Sequence, residues 1–246
     1  MCCFSRPVES VSQTNIFARA LKDGKQFLAY SMLLKAKEDL AMILPLPTPK
    51  DAKEDAVRFI SLEGYPEFFA KLAAAWPPPR GGDKGAKDGP PKDKPKLKVV
   101  EVGAFEASFA PTAKDLGRLD ERFRIPQATW DGLPAVKGFG FAVFKLKKGE
   151  SKVHPMAFEF PRADAKKLFF PTVHIHDGKI HKTAEFDHVL YCQASGGEDM
   201  LKWEESPGIG SGIVDVKKAA GLIDGDSHVY RLRLKGRRAN EDTWVA

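Results

Sequence analysis

Apolar and polar residues alternate with a period of two along several stretches of this chain, and that period is typical of β-strands with one buried face. Turn signals such as Lys22-Asp23-Gly24 separate several of these runs, which favours antiparallel neighbours. A β-meander is therefore the main structure that we expect. The pattern predicts strands over residues 14–20, 26–35, 39–46, 99–109, 139–147, 154–160, 169–176, 179–183, 188–192 and 228–235.

Three stretches have the wider spacing of apolar residues that is typical of helices. Residues 65–76 carry Pro66 where a first helical turn tolerates it, followed by Phe68, Phe69 and Leu72 at roughly helical spacing. Residues 51–59 and 112–123 are the other two predicted helices, the latter capped by Thr112. Strands and helices together predict an α+β fold that is mainly antiparallel sheet with a few helices.

One long segment interrupts this pattern. Residues 77–96 are rich in Pro, Gly, Lys and Asp and have no large side chain with which to pack a core. They predict a loop or linker between residues 1–76, a β-meander plus helix, and residues 97–246, an α+β portion. We expect the two ordered parts to form one compact unit.

Four of the six histidines fall within residues 169–192. Asp177-Gly178 is a strong signal for a two-residue hairpin turn, and that turn would set His174 opposite His181. His176 would then share their face, because side chains alternate along a strand. Three imidazoles on one face of a sheet form a transition-metal site. The alternative is a solvated polar face, and a one-residue slip of register would remove His181 from the cluster.

Further ligands could complete this site. His188 or a thiolate from Cys2 or Cys3 would supply a fourth position, with copper favoured over zinc or iron. An open position would let the ion activate water or dioxygen for a small-molecule substrate. The sequence therefore predicts a transition-metal-binding protein that could be a mononuclear metalloenzyme.

Two other function classes fit the same residues. The chain could be a non-catalytic binding or scaffold module, with its histidines exposed and empty. It could also be an N-terminal nucleophile hydrolase, in which Cys2 attacks after removal of Met1 and Arg19 orients a substrate carboxylate.

Composition excludes several classes of partner. The net charge of +6 and the pI of about 9.1 come largely from residues 77–96 and from the basic segment 231–238, not from a basic helical stripe, so we expect no nucleic acid. No apolar run is long enough for a membrane helix. The three cysteines, Cys2, Cys3 and Cys192, are too few for a disulfide framework, and no export signal precedes them, which predicts a cytoplasmic protein.

Several short motifs follow one another along the chain. They are Cys2-Cys3-Phe4, Pro7-Val8, Ile16-Phe17 and residues 41–47, 100–106, 138–143, 156–160 and 168–171. In this order they resemble a family of uncharacterised bacterial proteins, domain of unknown function 2330, over about residues 2–192. The resemblance implies a shared fold and no particular function.

Overall fold

The structure is a computed structural model, and it describes residues 2–76, 106–126, 129–130, 136–175, 181–194 and 198–246. Its strands in chain order are β1 (Cys2–Phe4), β2 (Ser10–Ala20), β3 (Lys25–Ala36), β4 (Leu40–Leu46), β5 (Arg58–Ser61), β6 (Ala107–Ala110), β7 (Gly140–Leu146), β8 (Gly149–Pro161), β9 (Leu168–Phe170), β10 (His174–Ile175), β11 (Thr183–Gln193), β12 (Glu204–Ile209), β13 (His228–Ala239) and β14 (Thr243–Val245).

These strands form two main sheets. One has five strands in the order β10-β1-β4-β7-β6, and the other has seven in the order β12-β13-β11-β2-β3-β8-β5. Both are mixed, because β1 runs parallel to β10 and β11 runs parallel to β2, while the other pairs within them are antiparallel. A small antiparallel pair joins β9 to β14.

The main core lies between the two sheets. Along β4, Leu40, Met42 and Leu44 belong to this core, whereas Ala41 and Ile43 belong to a second cluster on the far face of the five-stranded sheet. The same alternation along β3 and β7 follows from the period of two in a strand. Both faces of each sheet are therefore buried at their centres, and this explains the nearly continuous apolar runs in the sequence.

Short elements cover the outer faces. Helix α1 (Phe68–Ala74) packs on the seven-stranded sheet, together with the chain around the short helix Gly210–Ile213. The five-stranded sheet is covered by two 3₁₀-helices, Asp115–Arg118 and Glu121–Phe123, and by Trp130. No helix of the described chain has the length and apolar character needed to cross a membrane.

The predicted fold class is wrong, because the molecule is mostly β with mixed sheets rather than an antiparallel α+β fold. The helix predicted over residues 112–123 is a pair of 3₁₀ turns that bury Leu116 and Phe123. Residues 51–59 contain turns and the beginning of β5 in place of a helix. The helix predicted within residues 65–76 and the strands predicted over residues 139–147 and 228–235 are confirmed as α1, β7 and β13.

Candidate functional site

The described residues do not show the predicted pairing of His174 with His181. His174 lies in β10 at the edge of the five-stranded sheet, where its neighbour is β1. His181 comes just before β11, which belongs to the seven-stranded sheet. His176 and the Asp177-Gly178 turn lie outside the described residues. The two described arms of the segment therefore go to different sheets, so His174 and His181 are not cross-strand partners.

His174 and His188 do lie together. Their ring centroids are 4.6 Å apart, and each ring also contacts Phe186, with centroid distances of 4.7 Å for His174 and 5.3 Å for His188. Among the residues that the structure describes, no three His, Cys, Asp or Glu side chains are grouped as ligands of one ion. The predicted transition-metal function is therefore wrong, and nothing tests the choice among copper, zinc and iron.

The N-terminal candidates are also separated from their expected partners. Cys3 is fully buried among apolar residues of the five-stranded sheet. The side chain of Cys2 lies outside what the structure describes, although its backbone pairs with His174. Arg19 lies on β2 of the other sheet. The strand that carries Cys2 is thus not the neighbour of Arg19, contrary to the arrangement that the hydrolase alternative expected.

Asp187 and His188 form a polar pair at the border of the core. His188 is 2% exposed, and its Nδ1 lies 3.6 Å from Oδ1 of Asp187. Burial lowers the pKa of His188, because it disfavours the imidazolium ion, and the nearby carboxylate offsets this only in part. Contact with His188 and the hydrogen bond from the Gln13 N–H hold the pKa of Asp187 below its usual value, against the effect of burial. This pair is suited to a structural role.

The outer edge of β13 is an unpaired strand edge of the described chain. β12 pairs with β13 only from His228 to Arg231, while β11 pairs with the other side of β13 as far as Ala239. We call residues 232–239 the open edge, because no described strand lies outside them. Its exposed cationic side chains are Arg233, Lys235, Arg237 and Arg238.

A partial signal for this edge is present in the sequence. Arg231-Leu-Arg-Leu-Lys235 alternates basic and apolar residues, which is typical of a strand with one buried face. From the sequence alone, this basic segment predicts no nucleic-acid partner and no other partner. Whether a neighbouring strand covers it depends on the length of β12, and this is decided by tertiary pairing.

Together these features define a mostly β protein built from two packed mixed sheets with thin outer layers. The fold is similar to that of baculovirus P35. The crystal structure of P35 superposes with a TM-score of 0.54 at 15% identity, covering 99% of this chain and 98% of P35.

Two further structures match less well. A mutated baculovirus P35 after caspase cleavage gives a TM-score of 0.45 at 12% identity, covering 95% of this chain and 98% of that one. The caspase-8/P35 complex gives 0.46 at 12% identity, covering 95% of each chain. At such identities the likeness is one of fold, and the two lower scores add nothing to it.

No family model and no curated protein sequence matches this chain. The resemblance to domain of unknown function 2330 therefore stays a prediction.

Proposed function

We propose that this protein is a non-catalytic binding module whose partner is another protein. The observation that carries the proposal is the open edge of β13. A strand at the edge of a sheet has main-chain N–H and C=O groups that an extended segment of a partner can satisfy by adding a further strand.

The charge of the edge indicates what kind of segment would bind. Arg233, Lys235, Arg237 and Arg238 are exposed on residues 232–239, and no carboxylate of the described chain forms an ion pair with them. A second copy of the same edge would be repelled, whereas an acidic segment would be attracted and oriented. An acidic extended segment of a different protein is therefore the favoured occupant.

The fold supports a protein partner and suggests which one to test first. P35, whose fold is similar, has been crystallised in a complex with caspase-8. We therefore take a caspase-type peptidase as the first candidate partner of this chain.

The test is to mix the purified protein with purified caspase-8 and to follow complex formation by native mass spectrometry and by titration. We expect a complex in the parent protein and a loss of affinity of about tenfold or more in an Arg233→Glu/Lys235→Glu variant, because two attractions become repulsions. A Lys53→Glu/Lys217→Glu variant changes the formal charge equally at exposed lysines away from β13 and should bind as the parent does.

The two parts of the proposal fail separately. Absence of any complex contradicts caspase-8 as the partner. If the Arg233→Glu/Lys235→Glu variant binds caspase-8 as tightly as the parent protein does, the open edge is not the contact surface.

A further inference from the structure

A second surface lies at one end of the seven-stranded sheet and shares no lining residue with the open edge. A cleft of about 860 Å³ opens where β2 ends and where the chain leaves β8. Four cationic and two anionic side chains line it, so these side chains carry a net charge of +2. The cationic residues are Arg19, Lys22, Arg162 and Lys166, and we call this site the Arg19–Arg162 cleft.

The two acids of the cleft are already engaged. Asp23 lies 3.2 Å from Nζ of Lys25. Asp224 accepts hydrogen bonds from the main-chain N–H of Asp226 and from the hydroxyl of Ser227, both at 3.0 Å. Neither acid is within ion-pair distance of a cationic side chain that lines the cleft, so the excess positive charge is not neutralised by these carboxylates.

Main-chain carbonyl groups hold both guanidinium groups. Arg19 donates from Nε to the carbonyl of Leu222 at 2.7 Å and from Nη2 to that of Gly221 at 2.5 Å. Arg162 donates from Nε to the carbonyl of Gly24 at 3.3 Å and from Nη1 to that of Lys167 at 3.0 Å. These bonds orient the two side chains without neutralising them.

Each guanidinium group keeps donors for a ligand. An arginine has five N–H donors, and within the described chain Nη1 of Arg19 and Nη2 of Arg162 have no acceptor. Burial lowers the pKa of both groups, and the carboxylates that act against it are farther away than an ion pair requires. Partly buried cations without a close counter-ion are stabilised when an anion binds.

The geometry points to the Arg19–Arg162 cleft as a binding site for carboxylate groups on an acidic peptide segment of a partner protein. This inference rests on the proposed function, since the peptide belongs to that partner, but it uses a different surface. Planar guanidinium groups bind carboxylates through paired hydrogen bonds, and the two flexible lysines at the rim add attraction at longer range.

The size and lining of the cleft favour a peptide over a free ion. Its volume is in the range of sites that hold an organic ligand, far larger than one small anion requires. Apolar side chains also line it, namely Leu21, Ala165, Leu168 and Val245. A segment that carries both acidic and apolar side chains therefore matches this surface.

The test uses a fluorescent peptide of glutamate and leucine and a matched peptide of glutamine and leucine, titrated into the full protein and followed by anisotropy. We expect the glutamate peptide to bind and its affinity to fall with added salt. A Lys22→Glu/Lys166→Glu variant changes only exposed rim residues and should lose affinity by about tenfold or more, as should Arg162→Gln. The Lys53→Glu/Lys217→Glu variant, with the same change in charge elsewhere, should bind as the parent does.

Several results would overturn the inference. They are equal binding of the glutamine peptide, equal loss of affinity in the Lys53→Glu/Lys217→Glu control, and binding of inorganic phosphate without binding of either peptide. The last result would make the cleft a site for small anions. If the cleft variants bind caspase-8 with the same affinity as the parent protein, only this inference is refuted, and the proposed function is not. Peptide binding without any caspase-8 complex would refute that candidate partner alone.

Discussion

The main-chain N–H of Gln13 donates a hydrogen bond of 2.5 Å to Oδ2 of Asp187, although the two residues are 174 positions apart. Gln13 has a φ of 53° and lies where the pairing of β2 with β3 shifts register between Ser12 and Asn15. Such a bulge leaves a main-chain amide without a strand partner. The carboxylate on β11 satisfies that amide and so connects the irregular part of β2 to the neighbouring strand.

Removing this carboxylate should destabilise the protein. For Asp187→Ala we expect the free energy of unfolding to fall by about 1 kcal/mol, less than is usual for a hydrogen bond to a charged group, because Asp187 is half exposed. Urea denaturation at neutral pH measures the change. Glu185→Gln on the same strand is the control, and an equal loss there would show that the contact with Gln13 is not responsible.

Two non-glycine residues of the described chain have left-handed backbone conformations, Gln13 and Ala220, with φ values of 53° and 50°. Glycine adopts this conformation without the steric penalty of a Cβ atom. We expect Gln13→Gly and Ala220→Gly each to raise the free energy of unfolding by about 0.5–1 kcal/mol. Ala73→Gly, at an exposed position of α1, should lower it by about 1 kcal/mol, and a loss of that size at the first two positions would contradict the argument.

His188 should make the stability depend on pH below about 6.5. Burial lowers its pKa in the folded state, so below about pH 6.5 the unfolded chain takes up a proton that the folded chain does not. Stability then falls as the pH falls, by up to about 1.4 kcal/mol per pH unit for this one group. The pKa of Asp187 is also lowered in the folded state. Its contribution to stability is complete at neutral pH and is lost only when the pH falls below the ordinary pKa of a carboxyl group, so it does not affect the His188 range.

The measurement for His188 is a series of urea denaturation curves from pH 8 to pH 5 on the parent and on His188→Gln. In the variant, the free energy of unfolding should fall less steeply as the pH falls, because His188 no longer contributes. This holds whatever the stability of the variant at pH 8. If the free energy of unfolding depends on pH in the same way in both proteins, His188 takes up a proton as easily in the folded state as in the unfolded state.

Gly210 should not tolerate a side chain. A Cβ atom there would lie 2.5 Å from the carbonyl oxygen of Asp224 and 2.7 Å from Cγ2 of Ile223. We expect Gly210→Ala to lower the free energy of unfolding by about 1–3 kcal/mol, because the main chain would have to move. Gly212→Ala is the matched control, since nothing lies within 4 Å of its Cβ position, and equal effects would contradict the steric explanation.

The charges on the open edge should also prevent self-association. Cationic side chains on an edge strand keep two copies from pairing. We expect Arg233→Thr/Lys235→Thr to self-associate more than the parent in multi-angle light scattering, while Lys53→Thr/Lys217→Thr behaves as the parent does. An unchanged mass for the β13 variant at high concentration would mean that this edge is protected in another way.

Local pattern was sufficient for several elements. The strands predicted over residues 139–147 and 228–235 and the helical spacing of Phe68, Phe69 and Leu72 are reproduced in the structure. It failed at residues 112–123, because apolar residues about four apart also fit successive 3₁₀ turns laid over a sheet. It failed again at the histidines, where a good turn signal implied a hairpin whose two arms belong to different sheets.

The sequence by itself determined which residues alternate and which become buried, because the period of a strand and the transfer of apolar side chains from water are local properties. Tertiary structure alone decided that β11 lies beside β2 and β13, that β12 stops short of residue 232, and that Arg19 and Arg162 line one cleft. The pairing of β11 with β2, for example, joins Leu190 to Ile16, which are 174 positions apart. Which strands and side chains become neighbours depends on how whole sheets pack, and no short stretch of sequence contains that information.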